Sequence, residues 1–482
     1  DLNNIKADIR ILYDGDDAGN GQFSGPDFGL RSPDNLDWSD NGLIYIQEDR
    51  SYSQFGLTSG QEASVWEANP ATGQLTRIAQ MDRTAVPSGQ TDAAPGDIGN
   101  WESSGILDVS DLFGATDEVV FLAVTQAHSV TGGPITANNL AEGGQLLCVS
   151  GPRKTITTAP AQLVGLDAWS TTPLFTIGES LNGFSPTGIP DGIGARKLAD
   201  GTIRAYINSE LGASAGYEYQ LENGTPLKGG RVHYFDIDPA TKQVTGTGLA
   251  YKSIIDRAGN IVTSATQINE SSNTVNGLDR PCSASFFAAG QYGLVDDIFF
   301  TGEEGTNGQE FALDVATETL YCLPWLGRAA WENVTLLESG NPDKVAIAAG
   351  DDRAGAPMIL YIGDKNFAND GSFLDRNGLS HGKLYVWVAD NGDLSVEQFN
   401  GTSSSRAGKF VEIQYYNPAL AGTTGYDALG FASNATQDAL GDAVGAFSFS
   451  RPEDLATNPA NGRQMVAAST GRDPDFPADV WG

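Results

Sequence analysis

Short runs of apolar residues alternate with polar turns along most of the chain. Three segments show the pattern clearly: Val65–Ile78 (VWEANPATGQLTRI), Val232–Thr245 (VHYFDIDPATKQVT) and Leu384–Phe399 (LYVWVADNGDLSVEQF). Each has an apolar run, a turn rich in Asn, Asp, Pro or Gly, and a second run, which is typical of a β-hairpin. Apolar residues at helical spacing are scarce, so the pattern predicts an all-β protein.

The hairpins recur without a strict period, as they do in the blades of a β-propeller around a central channel. Compared with a typical blade of ~40–50 residues plus insertions, their spacing predicts six blades. The polar stretches Thr84–Asn100 and Thr263–Asn276 are interpreted as long loop insertions. We therefore expect residues 1–482 to form a single β-propeller domain.

The chain is strongly acidic, because 28 Lys and Arg stand against 61 Asp and Glu and give a formal net charge of −33. Such a surface repels nucleic acid, so we expect no nucleic-acid binding. No apolar run of about 18 residues could form a transmembrane segment, and the chain starts at Asp1 without a charged leader. The expectation is a soluble, mature monomer that is secreted, periplasmic or held at the extracellular surface.

Few residues could provide nucleophilic or zinc chemistry. The chain has three histidines (His128, His233 and His381) and three cysteines, and it contains no GxSxG, HExxH or phosphate-binding glycine motif. A serine triad, a histidine-rich zinc site and a nucleotide site are therefore not expected. Any metal ion must be held mostly by oxygen ligands, which Ca²⁺ prefers.

Acidic residues, often in adjacent pairs, follow the apolar runs, as in IYIQED and IFFTGEE. Burying paired carboxylates costs free energy that a multivalent cation would offset, although a single loop carboxylate is more often simply solvated. The candidate ligands on this basis are Asp34, Glu48, Asp49, Glu102, Glu210, Glu303, Glu304, Asp351, Asp352 and Glu453.

Several motifs resemble those of the PhoX-type alkaline phosphatases. They include RPEDLATNPANG (Arg451–Gly462), GLDRPCSASFF (Gly277–Phe287), GRAAWEN (Gly327–Asn333), WESSGI (Trp101–Ile106) and SPDNLDWSDNGLIYIQED (Ser32–Asp49). Together with further matches, the resemblance covers most of the chain. The last of these segments opens the chain here but follows the RPED segment in the family, so the sequence resembles a circularly permuted member. We therefore expect Asp1 and Gly482 to lie in the same blade.

The resemblance implies a six-bladed propeller that hydrolyses phosphate monoesters with two Fe³⁺ ions bridged by a cysteine thiolate and with Ca²⁺ beside them. By this resemblance Cys282 is the bridging thiolate, Glu332 and Glu453 are iron or calcium ligands, and Arg451 binds the phosphate. The acidic candidates named above are further calcium ligands or support them. The residues alone leave an alternative open for each of two positions. Cys282 is then a small buried apolar residue, and Arg451 is an ion-pair partner of Glu453.

The chain departs from the family pattern at Ser209, where the family has a histidine between the residues that match Asn208 and Glu210. Two other classes of function therefore stay open. One is a phytase, phosphodiesterase or lactonase on a calcium-binding propeller. The other is a non-catalytic, calcium-binding surface or matrix protein.

Overall fold

The computed structural model describes residues 5–14, 28–39, 42–51, 54–70, 73–115, 119–150, 157, 159–240, 242–269 and 275–471. Short strands follow one another through these ranges, and helices are few. In chain order the strands are β1 (Lys6–Arg10), β2 (Pro33–Trp38), β3 (Ile44–Glu48), β4 (Ser64–Ala68), β5 (Leu75–Met81), β6 (Gln90–Asp92), β7 (Trp101–Asp108), β8 (Phe121–Ala127), β9 (Val130–Gly132), β10 (Gly143–Val149), β11 (Leu163–Gly165), β12 (Thr172–Thr176), β13 (Pro190–Lys197), β14 (Ile203–Ser209), β15 (Tyr219–Gln220), β16 (Pro226–Leu227), β17 (Arg231–Asp238), β18 (Gln243–Leu249), β19 (Ser253–Ile255), β20 (Pro281–Phe287), β21 (Ile298–Glu303), β22 (Glu310–Asp314), β23 (Thr319–Cys322), β24 (Trp331–Leu337), β25 (Lys344–Asp351), β26 (Ala354–Ala356), β27 (Ile359–Asp364), β28 (Gly382–Ala389), β29 (Ser405–Ile413), β30 (Phe449–Ser450), β31 (Pro452–Thr457) and β32 (Met465–Ser469). The helices are α1 (Ser110–Phe113), α2 (Gly133–Ala137), α3 (Phe373–Arg376) and α4 (Asn434–Val444).

Two of the three predicted hairpins are confirmed, since β4 pairs with β5 and β17 pairs with β18. The third is wrong in its second half, because residues 396–398 form a 3₁₀ turn and β28 pairs with β29 instead. The N–H of Leu394 donates to Oε1 of Gln398 (2.6 Å). This local bond closes a turn where the alternation of apolar residues predicted a strand.

Within the described residues, mainly antiparallel pairing assembles five sheets of four or more strands, which we call blades 1 to 5. Their strand orders are β2-β3-β4-β5-β11, β7-β8-β10-β12, β13-β14-β17-β18, β20-β21-β22-β23-β19 and β24-β25-β27-β28-β29-β1. The all-β propeller is confirmed, but the prediction of six blades is wrong. Between blades 5 and 1, β31 pairs only with β32 within the described residues. The number of hairpins predicted six blades, because the sequence pattern does not show how many outer strands pair with each hairpin.

The first strand of each sheet lies on the inside of a ring. The inner strands β2, β7, β13, β20, β24 and β31 pack one against the next, and β31 packs against β2 to close the ring. The outer strands extend away from this ring, as in other propellers. The ring therefore brings together strand beginnings that range from Pro33 to Pro452 along the chain.

Apolar side chains pack between neighbouring sheets. Four buried clusters lie between consecutive blades 1 to 5, and two smaller clusters pack the β31–β32 sheet against blades 1 and 5. Trp101 and Trp331, at the starts of β7 and β24, are fully buried and contribute large apolar areas. These apolar residues thus pack between the blades, whereas the second position of each inner strand holds an acidic residue or a cysteine.

The first described strand, β1, joins the outer edge of blade 5, where Lys6 faces Lys409 and Arg10 faces Ser405. The last described strand, β32, belongs to a different sheet. Asp1 and Gly482 lie outside the described residues, so the shared blade of the two ends and the permuted order stay predictions. The single domain over residues 1–482 also stays a prediction. Among the described residues, no helix has the length and apolar character needed to cross a membrane.

Candidate metal centre

The inner strands are irregular at their beginnings. In five of them the pairing register shifts within the first four residues, as between Pro33 and Leu36 or between Pro281 and Ala284. In β7 the shift comes later, at Gly105. A bulge releases a residue from the ladder and redirects its side chain. The second residues of the inner strands, which we call the inner ring, are Asp34, Glu102, Asp191, Cys282, Glu332 and Glu453.

A second set of polar residues lies beside the inner ring. The first residue of each inner strand in blades 1 to 5 pairs with the last residue of the neighbouring strand, as Pro281 does with Glu303. The residue that follows this neighbouring strand therefore lies close to the inner ring. These residues, which we call the rim, are Asp49, His128, Glu210, Glu304 and Asp352.

Donor atoms from the inner ring and the rim form three overlapping groups. Within each group, carboxylate or thiol atoms all lie within 4.8 Å of one another. The groups are Glu210–Cys282–Glu304, Asp191–Cys282–Glu332 and Asp34–Glu332–Glu453. Because Cys282 is shared by the first two groups and Glu332 by the last two, the three groups form a continuous row.

Burial dominates the electrostatics of this row. It raises the pKa of the Cys282 thiol well above its usual range, and the nearby charges of Asp191 and Glu332 raise it further. Burial, followed by the charges of Glu453 and Asp34, raises the pKa of Glu332 in the same way. Burial and Glu210 raise the pKa of Glu304 to about 10. Carboxylates this close cannot all ionise alone, so the row must take up protons or cations.

The donor set fits a multivalent metal ion. Both Oε atoms of Glu332 and the Oδ1 atom of Asp191 are buried and have no hydrogen-bond partner among the described residues. The Sγ atom of Cys282 lies 3.4 Å from Oδ2 of Asp191. Buried carboxylate oxygens without partners are costly, and a coordinated cation would satisfy them. Carboxylates suit calcium, and a thiolate among them suits a transition metal such as iron.

Arg451 and Arg280 form ion pairs with carboxylates of the rim. Arg451 donates from Nε to Oδ1 of Asp352 (2.6 Å) and from Nη2 to Oδ2 (2.8 Å), and its Nη2 is 3.0 Å from Oε1 of Glu453. The ion pair between Arg451 and Glu453 that stayed open from the sequence is therefore present. Burial alone would raise the pKa of Asp352, but the hydrogen bond and charge of Arg451 outweigh it and lower that pKa.

His128 adds a third cationic group at the rim. Its Nδ1 lies 2.8 Å from Oε2 of Glu142, and its Nε2 lies 3.6 Å from Oε2 of Glu102. Burial lowers the pKa of His128, but the hydrogen bonds with these two carboxylates raise it to about 10. The positive charge also acts on Asp49. These two carboxylates therefore favour the imidazolium form of His128.

Most of the site residues expected from the sequence come together in the inner ring, in the rim or in ion pairs with the rim. The residues brought together are Asp34, Asp49, Glu102, Glu210, Cys282, Glu304, Glu332, Asp352, Arg451 and Glu453. Their coordination of a metal and the phosphate-binding role of Arg451 stay predictions. Cys148 and Cys322 are buried in different blades, Cys148 in β10 and Cys322 in β23.

Glu48, Glu303 and Asp351 were expected as ligands, but they lie outside the donor groups, the inner ring and the rim. Glu48 pairs with Arg31 (3.0 Å) and accepts the N–H of Ser64 (2.9 Å). Glu303 accepts the N–H groups of Asp279 (3.0 Å) and Gln309 (3.2 Å). Each of these carboxylates holds a local backbone connection in its blade.

Asp351 is the third of these residues, and its carboxylate accepts from Nε of Arg353 (2.8 Å) and from the N–H of Ala330 (3.1 Å). All three residues end a strand, and each is followed directly by a rim residue. Successive side chains of a strand point in opposite directions, so only one member of each adjacent acidic pair reaches the centre.

Asp191 and His128 belong to the site but were not predicted. Asp191 follows Pro190 at the start of β13, just as Asp34, Cys282 and Glu453 follow a proline at the start of their inner strands. That recurring Pro-x pair was a signal in the sequence. His128 follows β8, in the rim position of blade 2. It was set aside because three scattered histidines do not make a zinc site.

The fold and this site define a β-propeller with a buried acidic centre whose donor groups could hold a metal ion. The family model described as "Alkaline phosphatase PhoX" matches residues 313–473. The resemblance to the PhoX-type alkaline phosphatases is thereby confirmed over that part of the chain. The matched segment contains Glu332, Asp352, Arg451 and Glu453, whereas Cys282 and the remaining site residues lie outside it.

Solved structures show only remote similarity. PhoX from Pseudomonas fluorescens, in complex with the transition-state analogue vanadate, is 17% identical with a TM-score of 0.38, over 57% of each chain. A protein of unknown function from Dyadobacter fermentans is 9% identical with a TM-score of 0.36, over 84% of this chain and 98% of that one. The alignment with PhoX thus spans little more than half of the length of that protein. A search of the curated proteins finds no match.

Proposed function

We propose that the protein is a metal-dependent phosphomonoesterase of the alkaline phosphatase type that acts outside the cytoplasm. The observation that carries this proposal is the row of three donor groups joined by Cys282 and Glu332. The match to the PhoX family model supports the choice of phosphate ester over other substrates. We propose Fe³⁺ and Ca²⁺ as the metals, because a thiolate shared by two groups suits iron and the all-carboxylate group suits calcium.

The residues of the row would hold the metals, and Arg451 would bind the substrate. Bound metal ions would polarise a phosphoryl oxygen and neutralise charge in the transition state. Asp352 and Glu453 fix the Nε and Nη2 atoms of Arg451, which orients the guanidinium and leaves the N–H groups of Nη1 for phosphoryl oxygens. In the reaction, water adds to phosphorus, the bond to the ester oxygen breaks, and the leaving alcohol takes up a proton.

Metal analysis combined with activity tests this proposal. The purified protein is analysed by inductively coupled plasma mass spectrometry and assayed with p-nitrophenyl phosphate and bis(p-nitrophenyl) phosphate at alkaline pH. Iron and calcium together with hydrolysis of the monoester, lost on chelation, support the proposal. Calcium alone with hydrolysis of the diester supports a calcium-dependent diesterase. Bound calcium with hydrolysis of neither ester contradicts an enzymatic role and supports a non-catalytic calcium-binding propeller.

A further inference from the structure

Arg280 and Arg451 occupy equivalent positions in two sheets. Each directly precedes the proline that begins an inner strand, β20 for Arg280 and β31 for Arg451. Each also has a left-handed backbone conformation, with φ of 48° and 55° respectively. The residues that precede the prolines of β2 and β13 share this conformation, with φ of 41° and 53°, so it is a recurring feature of these strand starts. The fold thus places two guanidinium groups in the same way beside the donor row.

Both arginines bind their carboxylate partners through Nε and Nη2. Nε and Nη2 of Arg280 lie 3.0 and 2.5 Å from Oε1 of Glu210, and Nη2 also donates to Glu304. Arg451 binds Asp352 through its own Nε and Nη2 atoms. In neither arginine does Nη1 make a hydrogen bond to a described residue. Each guanidinium is thus held from one edge and keeps the N–H groups of Nη1 for another partner.

Both guanidinium groups border the same part of the rim. Arg280 binds Glu304, Arg451 binds Asp352, and these two carboxyl groups interact with each other. The side chain of Arg280 is 48% exposed and that of Arg451 is 19% exposed. A group that approaches the donor row from solvent on this side would therefore meet Arg280 before Arg451.

We propose that Arg280 is a second phosphate-binding arginine, which contacts the terminal oxygens of a phosphate monoester together with Arg451. This inference rests on the proposed function and deepens it by naming the preferred substrate class. A monoester at alkaline pH carries two negative charges and three terminal oxygens, whereas a diester carries one charge and two such oxygens. A second guanidinium adds charge-assisted hydrogen bonds that the dianion can use best. Arg280 thereby favours monoesters over diesters.

The test is the binding of inorganic phosphate to the metal-loaded protein, measured by isothermal titration calorimetry. The Arg280→Gln variant is expected to bind phosphate on the order of 10-fold more weakly, as for the loss of one charge-assisted contact. Arg280→Lys should lie between this variant and the wild type, because it keeps the charge without the planar fork. The matched control is Arg204→Gln. Arg204 binds Asp236 through Nε (2.7 Å) and Nη2 (2.8 Å) at the other end of β14 from Glu210.

Metal content is measured on the same samples, because Arg280 also contacts Glu210 and Glu304. If Arg280→Gln loses metal, the phosphate affinity of Arg280→Lys is compared with that of the wild type instead, and this comparison tests the inference. Equal phosphate affinity in the wild type and in the metal-replete Arg280 variant overturns the inference, and so does a wild type that binds no phosphate. If the protein has no hydrolytic activity but its phosphate binding depends on Arg280, the inference is supported and the proposed function is wrong. With activity, the ratio of monoester to diester kcat/KM should fall in Arg280→Gln.

Discussion

Cys282 belongs to two of the three donor groups, so its removal takes a ligand from both at once. We expect Cys282→Ala to lower kcat for p-nitrophenyl phosphate about 100-fold or more, because charge stabilisation in the transition state is lost with the metals. Metal content should fall in the same variant. Cys148→Ala is the matched control, since Cys148 is buried in the apolar cluster between blades 2 and 3. Full activity in Cys282→Ala would exclude a thiolate ligand.

The adjacent residues Glu303 and Glu304 allow a sharper comparison. Glu304 is a member of a donor group, whereas Glu303 accepts two backbone N–H groups in its own blade. We expect Glu304→Gln to weaken metal binding by about 10- to 100-fold, measured by competition with a fluorescent chelator. Glu303→Gln should keep metal affinity and lower the free energy of unfolding by roughly 2 kcal/mol, because an amide has a single oxygen and can accept only one of the two N–H groups, which bind Oε1 and Oε2 separately. Equal loss of metal in both variants contradicts the assignment.

The same pairs show what the sequence could predict at the level of single residues. It located the acidic strand ends that carry Asp49, Glu304 and Asp352, because paired acids next to apolar runs are unusual. It could not tell which member of a pair faces the centre, since this depends on where the strand ends relative to its neighbour. Glu48 and Asp351 were included for this reason. Asp191 was missed because the proline that begins four of the inner strands was not used as a signal.

The bulges of the inner strands depend on close backbone contacts that leave no room for side chains. A Cβ on Gly105, which has φ of 51°, would lie 2.1 Å from the carbonyl oxygen of Asp191. We expect Gly105→Ala to lower the free energy of unfolding by roughly 2 kcal/mol or more and to reduce metal content, because Asp191 must shift.

Gly201 provides the control for that substitution. It also has a positive φ, of 93°, but a Cβ there would meet no atom within 4 Å. Gly201→Ala should therefore cost only about 1 kcal/mol for the backbone strain and leave metal content unchanged. Urea unfolding and metal analysis of both variants check the prediction. Unchanged metal content in a folded Gly105→Ala protein would show that the bulge of β7 does not position Asp191.

Among the elements, hairpins were predictable where two apolar runs are joined by a short turn. The β4–β5 and β17–β18 hairpins follow this rule. The rule failed after β28, because the side chain of Gln398 accepts the N–H of Leu394 and closes a local turn. The strand that pairs with β28 begins only at Ser405. The bulges were not predictable, since they arise from the packing of one inner strand against the next.

At the scale of the whole molecule, the sequence predicted the propeller but not its number of complete blades. The repeating hairpins and the single acidic centre follow from local patterns. The addition of β1 to the edge of blade 5 does not, because Lys6 and Lys409 are far apart in the chain and their pairing depends on how the ring closes. The same long-range closure leaves β31 and β32 as a two-stranded sheet within the described residues.

The charge of the whole molecule predicts that its stability depends on bound cations. A net charge of −33 disfavours the compact state, and the donor row concentrates part of this charge in buried positions. An ion that binds the native protein stabilises it by about 2.7 kcal/mol at a free concentration of 100 Kd. We therefore expect removal of metals by a chelator to lower Tm in a scanning calorimeter and added Ca²⁺ to restore at least part of it.

Screening by salt would also stabilise an acidic protein, so the two effects have to be separated. Na⁺ at equal ionic strength screens surface charges but does not replace a multivalent ligand at buried carboxylates. We expect it to raise the Tm of the chelated protein less than Ca²⁺ does. In Glu332→Gln, which loses the carboxylate shared by two donor groups, the difference between Ca²⁺ and Na⁺ should shrink. An equal response to both ions in the wild type would mean that cations act only on the surface charge and that the donor row binds none.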